Sequence, residues 1–302
     1  MSSAPDLTAT APPRLTLASL LPAVFVLLWS SGFIGAKLGL PSAEPMTFLG
    51  LRFVIVTAIM GAASLATGAR WPATWREAGH IAVAGLLLQG VYLGGVYIGI
   101  AKGVGAGIAA LIVGLQPILT AALVRRFLGE EVSPRQWLGF VLGLAGVVLV
   151  VTSRTSITIG HVWGVVATVV ALFGVTVGML YQKRFCSDMD LRTGSTIQSA
   201  VVAAAMLAGS FTFEDQTIRW TPSFIFALAW LAVPLSVGAT LLLYWLLRRG
   251  TATRLMSFFY LVPPVTALMA YAAFGESLNP PALLGMGIAV MGVALVLRSG
   301  SP

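Results

Sequence analysis

The sequence predicts an all-α integral membrane protein of ten transmembrane helices, folded as two inverted five-helix repeats. Three observations carry the prediction. Hydrophobic residues make up 58% of the 302-residue chain and charged residues only 9%, where a soluble domain carries roughly a quarter. Apolar runs near the ~20 residues that cross a bilayer core recur along the whole sequence. The chain also repeats itself: Pro117, Gly129, Glu130, Pro134, Gly139 and Gly146 return 146 positions later as Pro263, Gly275, Glu276, Pro280, Gly285 and Gly292. Long apolar repeats of this kind build carriers whose halves rock about a site between them.

A polar tail spans residues 1–16. The predicted helices then run over 17–37, 46–67, 79–100, 105–127 and 135–152, and over 161–182, 194–212, 223–247, 252–274 and 281–298. These form a first repeat, 17–152, and a second, 161–298. The runs are too long for strands and lack period-two alternation. A cleaved signal peptide is the alternative reading of the first run. The match of Lys37 to Lys183 argues that this run belongs to the body instead. Five helices per repeat is an odd number, so the second repeat enters the membrane from the opposite side.

Charge orients the threading. With the N-terminus cytoplasmic, inner segments hold Arg14, Arg70, Arg76, Arg125, Arg126, Arg135, Lys183, Arg184, Arg192, Arg248, Arg249, Arg254 and Arg298. Outer segments hold Lys37, Lys102, Arg154 and Arg219, and Arg52 lies within a helix. Basic residues collect on the cytoplasmic side, so both termini are expected there. Trp71, Trp75, Trp137 and Trp220 fall at helix ends, where amphipathic rings suit the interface. The net charge of +8 sits between apolar runs and reads as orientation rather than nucleic-acid binding. One cysteine, Cys186, excludes an internal disulfide and a cysteine-based metal site.

Leu28-Trp29-Ser30-Ser31-Gly32-Phe33 ending at Lys37, Leu115-Gln116-Pro117 followed by Gly129-Glu130, and Pro263-Pro264 followed by Gly275-Glu276 together resemble the drug/metabolite transporter superfamily. The resemblance is to its ten-helix members with two EamA-type repeats, and it covers about residues 15–298. It implies an exporter-like carrier of small metabolites by alternating access, similar to the bacterial aromatic amino acid exporters of that superfamily. No cofactor is implied. The expected partners are a small-molecule substrate and the lipid bilayer.

Candidate substrate-binding residues follow from helical spacing. Ser30, Phe33 and Lys37 share one face of the first helix, and the repeat turns them into Thr176, Met179 and Lys183. The two lysines, at opposite faces, read either as gates for a substrate carboxylate or as anchors snorkelling to the interface. Gln89, Tyr92 and Tyr97 lie on the third helix. Gln116 precedes Pro117, whose ring frees a carbonyl, and Pro263-Pro264 does the same one helical turn after Tyr260. Tyr244 stands one turn before Arg248. Trp29 and Trp163 offer flat surfaces for stacking, although packing or lipid contact suits the same rings. Arg52 is the deepest charge. It could contact substrate, or it could snorkel or find a partner such as a backbone carbonyl; because its counterpart is Gln198, the second reading is favoured.

Gly139 and Gly143, repeated as Gly285 and Ala289, permit close helix packing as scaffold or as a homodimer contact. No Asp or Glu falls in the middle of a predicted helix. That weighs against an intramembrane proton relay and toward facilitated diffusion or exchange, with Glu44 or Glu276 left as candidates at an outer gate. The sequence contains no HExxH, no GxSxG and no phosphate-binding Gly-rich loop, which argues against a membrane enzyme. A carrier of drugs, purines or nucleotide sugars, and a non-transporting membrane subunit, are the alternatives.

Overall fold

A computed structural model describes residues 17–120, 123, 133–152, 159–239, 242, 259, 261–276 and 279–298. Among these, ten apolar helices follow the predicted order. The first five are α1 (Leu17–Gly39), α2 (Pro45–Ala66), α3 (Trp75–Ala101), α4 (Ala106–Thr120, with a turn at Gly114-Leu115) and α5 (Pro134–Thr152). The second five are α6 (Ile159–Phe185), α7 (Leu191–Phe213), α8 (Pro222–Ala239), α9 (Val262–Phe274) and α10 (Pro280–Arg298).

Local chemistry sets the ends. Thr74 caps α3 by accepting from the Glu77 N–H at 3.2 Å, and the Glu77 carboxylate reaches back one residue beyond the cap, to the Ala73 N–H at 2.9 Å, a variant of the capping box. Prolines open α2, α8 and α10, where a missing N–H costs nothing. Gly275 ends α9 at φ +65°, a left-handed position that glycine adopts without a Cβ penalty.

The repeats are visible as a pseudo-twofold axis. Helix α5 packs on α10 through the small-residue stripe. A Cβ on Gly146 would lie 2.5 Å from the Gly285 carbonyl, and one on Gly292 would lie 2.6 Å from the Gly139 carbonyl. Exchanging the repeats converts one contact into the other. The stripe is therefore used inside the chain, joining the two repeats as scaffold, because that face is covered by backbone. Helices α2 and α7 pair likewise, as do α4 and α9, while α1 with α8 mirrors α6 with α3.

The outward surface is apolar. Val141, Leu144 and Val148 on α5 and Val162, Val166 and Phe173 on α6 are exposed, the inverse of a soluble helix. Trp71, Trp75, Trp137 and Trp220 are also exposed at helix ends.

Two segments depart from the α form, and neither shows in the hydropathy pattern. Leu86–Val91 within α3 and Leu231–Ala239 within α8 are π-helical. Adding 146 to 86–91 gives 232–237, so both wide turns occupy the same place in their repeats. The second contains Pro234, which removes a ladder hydrogen bond. π segments are rare and collect at functional sites.

Candidate functional site

Polar side chains meet in three places where the repeats face each other. The first is an end of the bundle. Lys37, in the last turn of α1, forms an ion pair with Glu276, just beyond the end of α9, and its ammonium sits 4.7 Å from the centre of the Phe274 ring. The Ala106 N–H at the start of α4 also reaches the Glu276 carboxylate at 3.4 Å. Three helix ends thus converge on one carboxylate. At the same face, Glu214 accepts from the Met46 and Thr47 N–H groups, each at 2.7 Å, and from the Thr47 hydroxyl at 2.8 Å. These are orphan donors of the first turn of α2, satisfied by an acid from the end of α7. The Asp215 N–H donates to Glu44 at 2.7 Å, and Arg219 joins the carbonyls of Pro41 and Ser42.

The second place is the interior. Arg52, about 10 Å along α2 from its start at 1.5 Å per residue, is 4% exposed. It donates to the Tyr97 hydroxyl on α3 and to the Ser236 hydroxyl in the π segment of α8, both at 3.1 Å. The expected snorkelling or carbonyl contact is not what forms. The guanidinium is buried, and its partners are two hydroxyls. Ser236 in turn donates to the Leu231 carbonyl at 2.8 Å, five residues back. Phe48 packs against Tyr97 and Phe224 with ring centres 5.4 and 5.0 Å apart, fixing the wall beside Arg52. A charged side chain at mid-membrane costs roughly 2.5–3.5 kcal/mol on insertion scales.

The third place mirrors the second. Gln198 on α7 is the repeat counterpart of Arg52. It accepts from Gln89, in the π segment of α3, at 3.2 Å and donates to Gln182 at 2.9 Å. In both repeats a polar residue of the second helix therefore reaches into the π segment of the other repeat.

The remaining candidates fall around these centres. Ser30 is fully buried and its hydroxyl lies 3.4 Å from the Val262 carbonyl, at the start of α9. Phe33 and Tyr92 are buried. Trp29 packs edge-on to Phe259 and tilted to Phe25, with ring centres 5.4 and 5.5 Å apart. Thr176 is fully buried, its hydroxyl spent on the Leu172 carbonyl at 2.7 Å. Gln116 contacts the Met179 sulfur. Lys183 is exposed at the end of α6. Trp163 is 63% exposed, on the outer surface of α6 and apart from the three centres. Tyr244 and Tyr260 lie outside the described residues, as do Arg248 and Glu130.

Sequence reasoning missed Ser236, Gln182 and Gln198 as partners, and it did not pair Lys37 with Glu276. One signal was present. The 146-residue offset places Arg52 and Gln198 at one repeat position and the two π segments at another, and an inverted twofold brings such positions together.

A few polar groups held between inverted repeats, with an ion pair joining the repeats at one end, fit a carrier. The family profile of the EamA-like transporter family matches residues 16–152 and again 162–298. The chain belongs to that family, within the drug/metabolite transporter superfamily, and its general role is small-metabolite transport. Relatives agree with this placement. The uncharacterized inner membrane transporter YedA of Escherichia coli strain K12 is 28% identical over 270 residues, covering 89% of this chain and 87% of that protein. The uncharacterized transporter YvbV of Bacillus subtilis strain 168 is 25% identical over 290 residues, covering 93% and 92%. A probable terminal-alkyne amino-acid exporter of Streptantibioticus cattleyicolor is 25% identical over 288 residues, covering 90% and 91%. A solved crystal structure superposes with a TM-score of 0.63 at 21% identity, over 94% of this chain and 99% of that one, which supports the fold.

Proposed function

We propose that this protein is an inner-membrane exporter of amino acids, aromatic or other neutral ones, working by alternating access with both termini cytoplasmic. The observation that carries the reading is the Lys37–Glu276 ion pair between α1 and α9. It holds the Lys37 face shut across the seam between the repeats, while Lys183, the same residue in the other repeat, stands exposed. A carrier needs one closure at a time. A substrate carboxylate competes with Glu276 for Lys37 when the Lys37 face opens and meets Lys183 from the opposite side, so substrate and latch exchange partners. An amino acid supplies that carboxylate, and its apolar side chain suits the buried Phe33, Tyr92 and Tyr97. The likeness to a probable amino-acid exporter supports the substrate class. The likeness to an inner membrane transporter and the basic bias of alternate loops support the location and orientation.

Purified protein in liposomes, tested with a panel of amino acids, sugars, purines and cationic drugs, decides the substrate. The reading predicts counterflow of phenylalanine and tryptophan. Movement of sugars or nucleotides with no competition by amino acids contradicts it. A reporter fused to the C-terminus is expected to be active only in its cytoplasmic form.

A further inference from the structure

We infer that Arg52 is the anion-binding group of the interior, taking a monocarboxylate in the carrier's substrate-accepting state. The inference rests on the carrier reading but not on the substrate being aromatic. Arg52 is buried between α2, α3 and the π segment of α8, so its neighbours come from both repeats. Its two recorded hydrogen bonds go to neutral hydroxyls, and the buried Nε–H has no partner among the described residues. The ion pairs among the described residues are Lys37–Glu276 and Asp190–Arg192; neither involves Arg52. A guanidinium offers its donors as a planar fork that matches a carboxylate. Here the fork is only partly engaged, in a low-dielectric setting where an anion would be held most strongly.

Repeat symmetry separates a scaffold role from a ligand role. At the equivalent position Gln198 makes the mirrored link to the opposite π segment through Gln89. A neutral amide is therefore enough to tie the second helix to the π turn across the seam. The positive charge at 52 goes beyond what that tie requires, and it appears in only one repeat. The guanidinium has the centre of the Phe53 ring 5.4 Å from its carbon and two hydroxyls but no opposite charge among the described residues. Burying such a cation is unfavourable unless something offsets it, and the component that would is an anion. The hydroxyls of Tyr97 and Ser236 would hold the guanidinium in place between substrates. Ser236 lies in a segment whose ladder is already loosened by Pro234, so α8 is suited to shift when a carboxylate takes over the fork.

The test uses the purified full chain in detergent, with thermal shift as the readout. Acetate, benzoate and 3-phenylpropionate are compared with benzamide, 3-phenylpropionamide and phenylethylamine at constant ionic strength. Carboxylates are expected to raise the Tm of the wild type while the amides and the amine do not. Arg52→Gln places the second repeat's residue in the first. It should fold, and it should lose the carboxylate response, with affinity falling about ten- to a hundredfold as expected for one charge-assisted contact. If Arg52→Gln does not give folded protein, Arg52→Lys takes its place, and its response must be weaker than the wild type's because the fork is gone. Ser236→Ala and Tyr97→Phe should lower the Tm without ligand yet keep the preference for carboxylates. A wild type indifferent to carboxylates, or an Arg52→Gln variant with an undiminished response, overturns the assignment. If simple carboxylates bind while phenylalanine and tryptophan do not, the substrate reading fails and the role of Arg52 stands.

Discussion

The two faces of the bundle are built from the same repeat and are fastened differently. At one, Glu44 stands at the N-cap position of α2 and its carboxylate accepts from the Asp215 N–H. At the other, its counterpart Asp190 accepts from the Arg70 N–H at 3.3 Å, so the loop architecture is mirrored. Beyond that the faces diverge. The Lys37 face adds an ion pair linking α1 to α9 and a Glu214 carboxylate linking α7 to α2. The Lys183 face leaves its lysine exposed and carries a cleft of about 240 Å³ lined by Arg70, Trp71, Phe185 and Asp188, among others. Among the described residues, one repeat position is thus paired at the Lys37 face and exposed at the Lys183 face, an asymmetry that the alternating-access reading proposed above would use.

The largest effect is expected from reversing the latch. Glu276→Lys sets two cations against each other and should shift the balance of access states by about a hundredfold or more, since loss of the contact alone is worth ~1.5–3 kcal/mol and like-charge repulsion adds to it. Adding Lys37→Glu to the same chain should restore the balance, and the double-mutant cycle measures the coupling. Substrate binding from each side of oriented vesicles gives the readout. If the double variant behaves as the sum of two independent lesions, Lys37 and Glu276 do not act as a pair.

Next comes Lys183→Met, which keeps length and apolar packing while removing charge. It should weaken binding from the Lys183 side by about tenfold or more and leave the Tm unchanged, because Lys183 has no recorded partner among the described residues. A normal affinity would reduce Lys183 to a snorkelling anchor. Glu214→Gln is expected to act more through stability. An amide oxygen still accepts one N–H of α2 but loses the charge favoured at a helix N-terminus, an effect of about 0.3–1 kcal/mol, visible as a small fall in Tm.

The smallest effect concerns Asp190. Hydrogen bonds from the Arg192 guanidinium and N–H hold its carboxyl well below the usual carboxylate range. A lowered folded-state value means that this link is fully present above about pH 4, the ordinary value for Asp. It is lost only as pH falls through the depressed one. Between pH 5 and 8 Asp190 should therefore add no pH dependence to stability, and Asp190→Asn should flatten only the acid limb of a Tm-against-pH curve.

Hydropathy located every helix but blurred its ends. The third helix begins at Trp75, four residues before the predicted start at 79. Its first turn, Trp75-Arg76-Glu77, is polar and interfacial, and the capping box at Thr74 rather than apolarity begins it. The π segments left no trace because widening a turn does not change which residues are apolar. The same limit applied to the site. Lys37 was legible from its place in the repeat and Glu276 from the repeat's fixed residues. Their meeting is a tertiary fact, set by where α1 and α9 end. For Trp163 the sequence allowed both stacking and lipid contact, and its exposure on α6 favours the lipid-facing reading. For Arg52 the sequence offered a substrate contact or a partner within the protein; the neutral counterpart at 198 gave no sign that both residues reach the π segment of the opposite repeat.

Closure of the Lys37 face by the ion pair is tested most directly by one-sided cysteine labelling. Cys186→Ser removes the single native thiol, and Phe33→Cys places a probe one turn below Lys37 on a buried position. A membrane-impermeant maleimide added at the Lys37 face should leave this cysteine unmodified while the pair is intact and modify it readily once Glu276→Gln is added. Equal labelling with and without Glu276→Gln would contradict the claim that this ion pair holds the face shut.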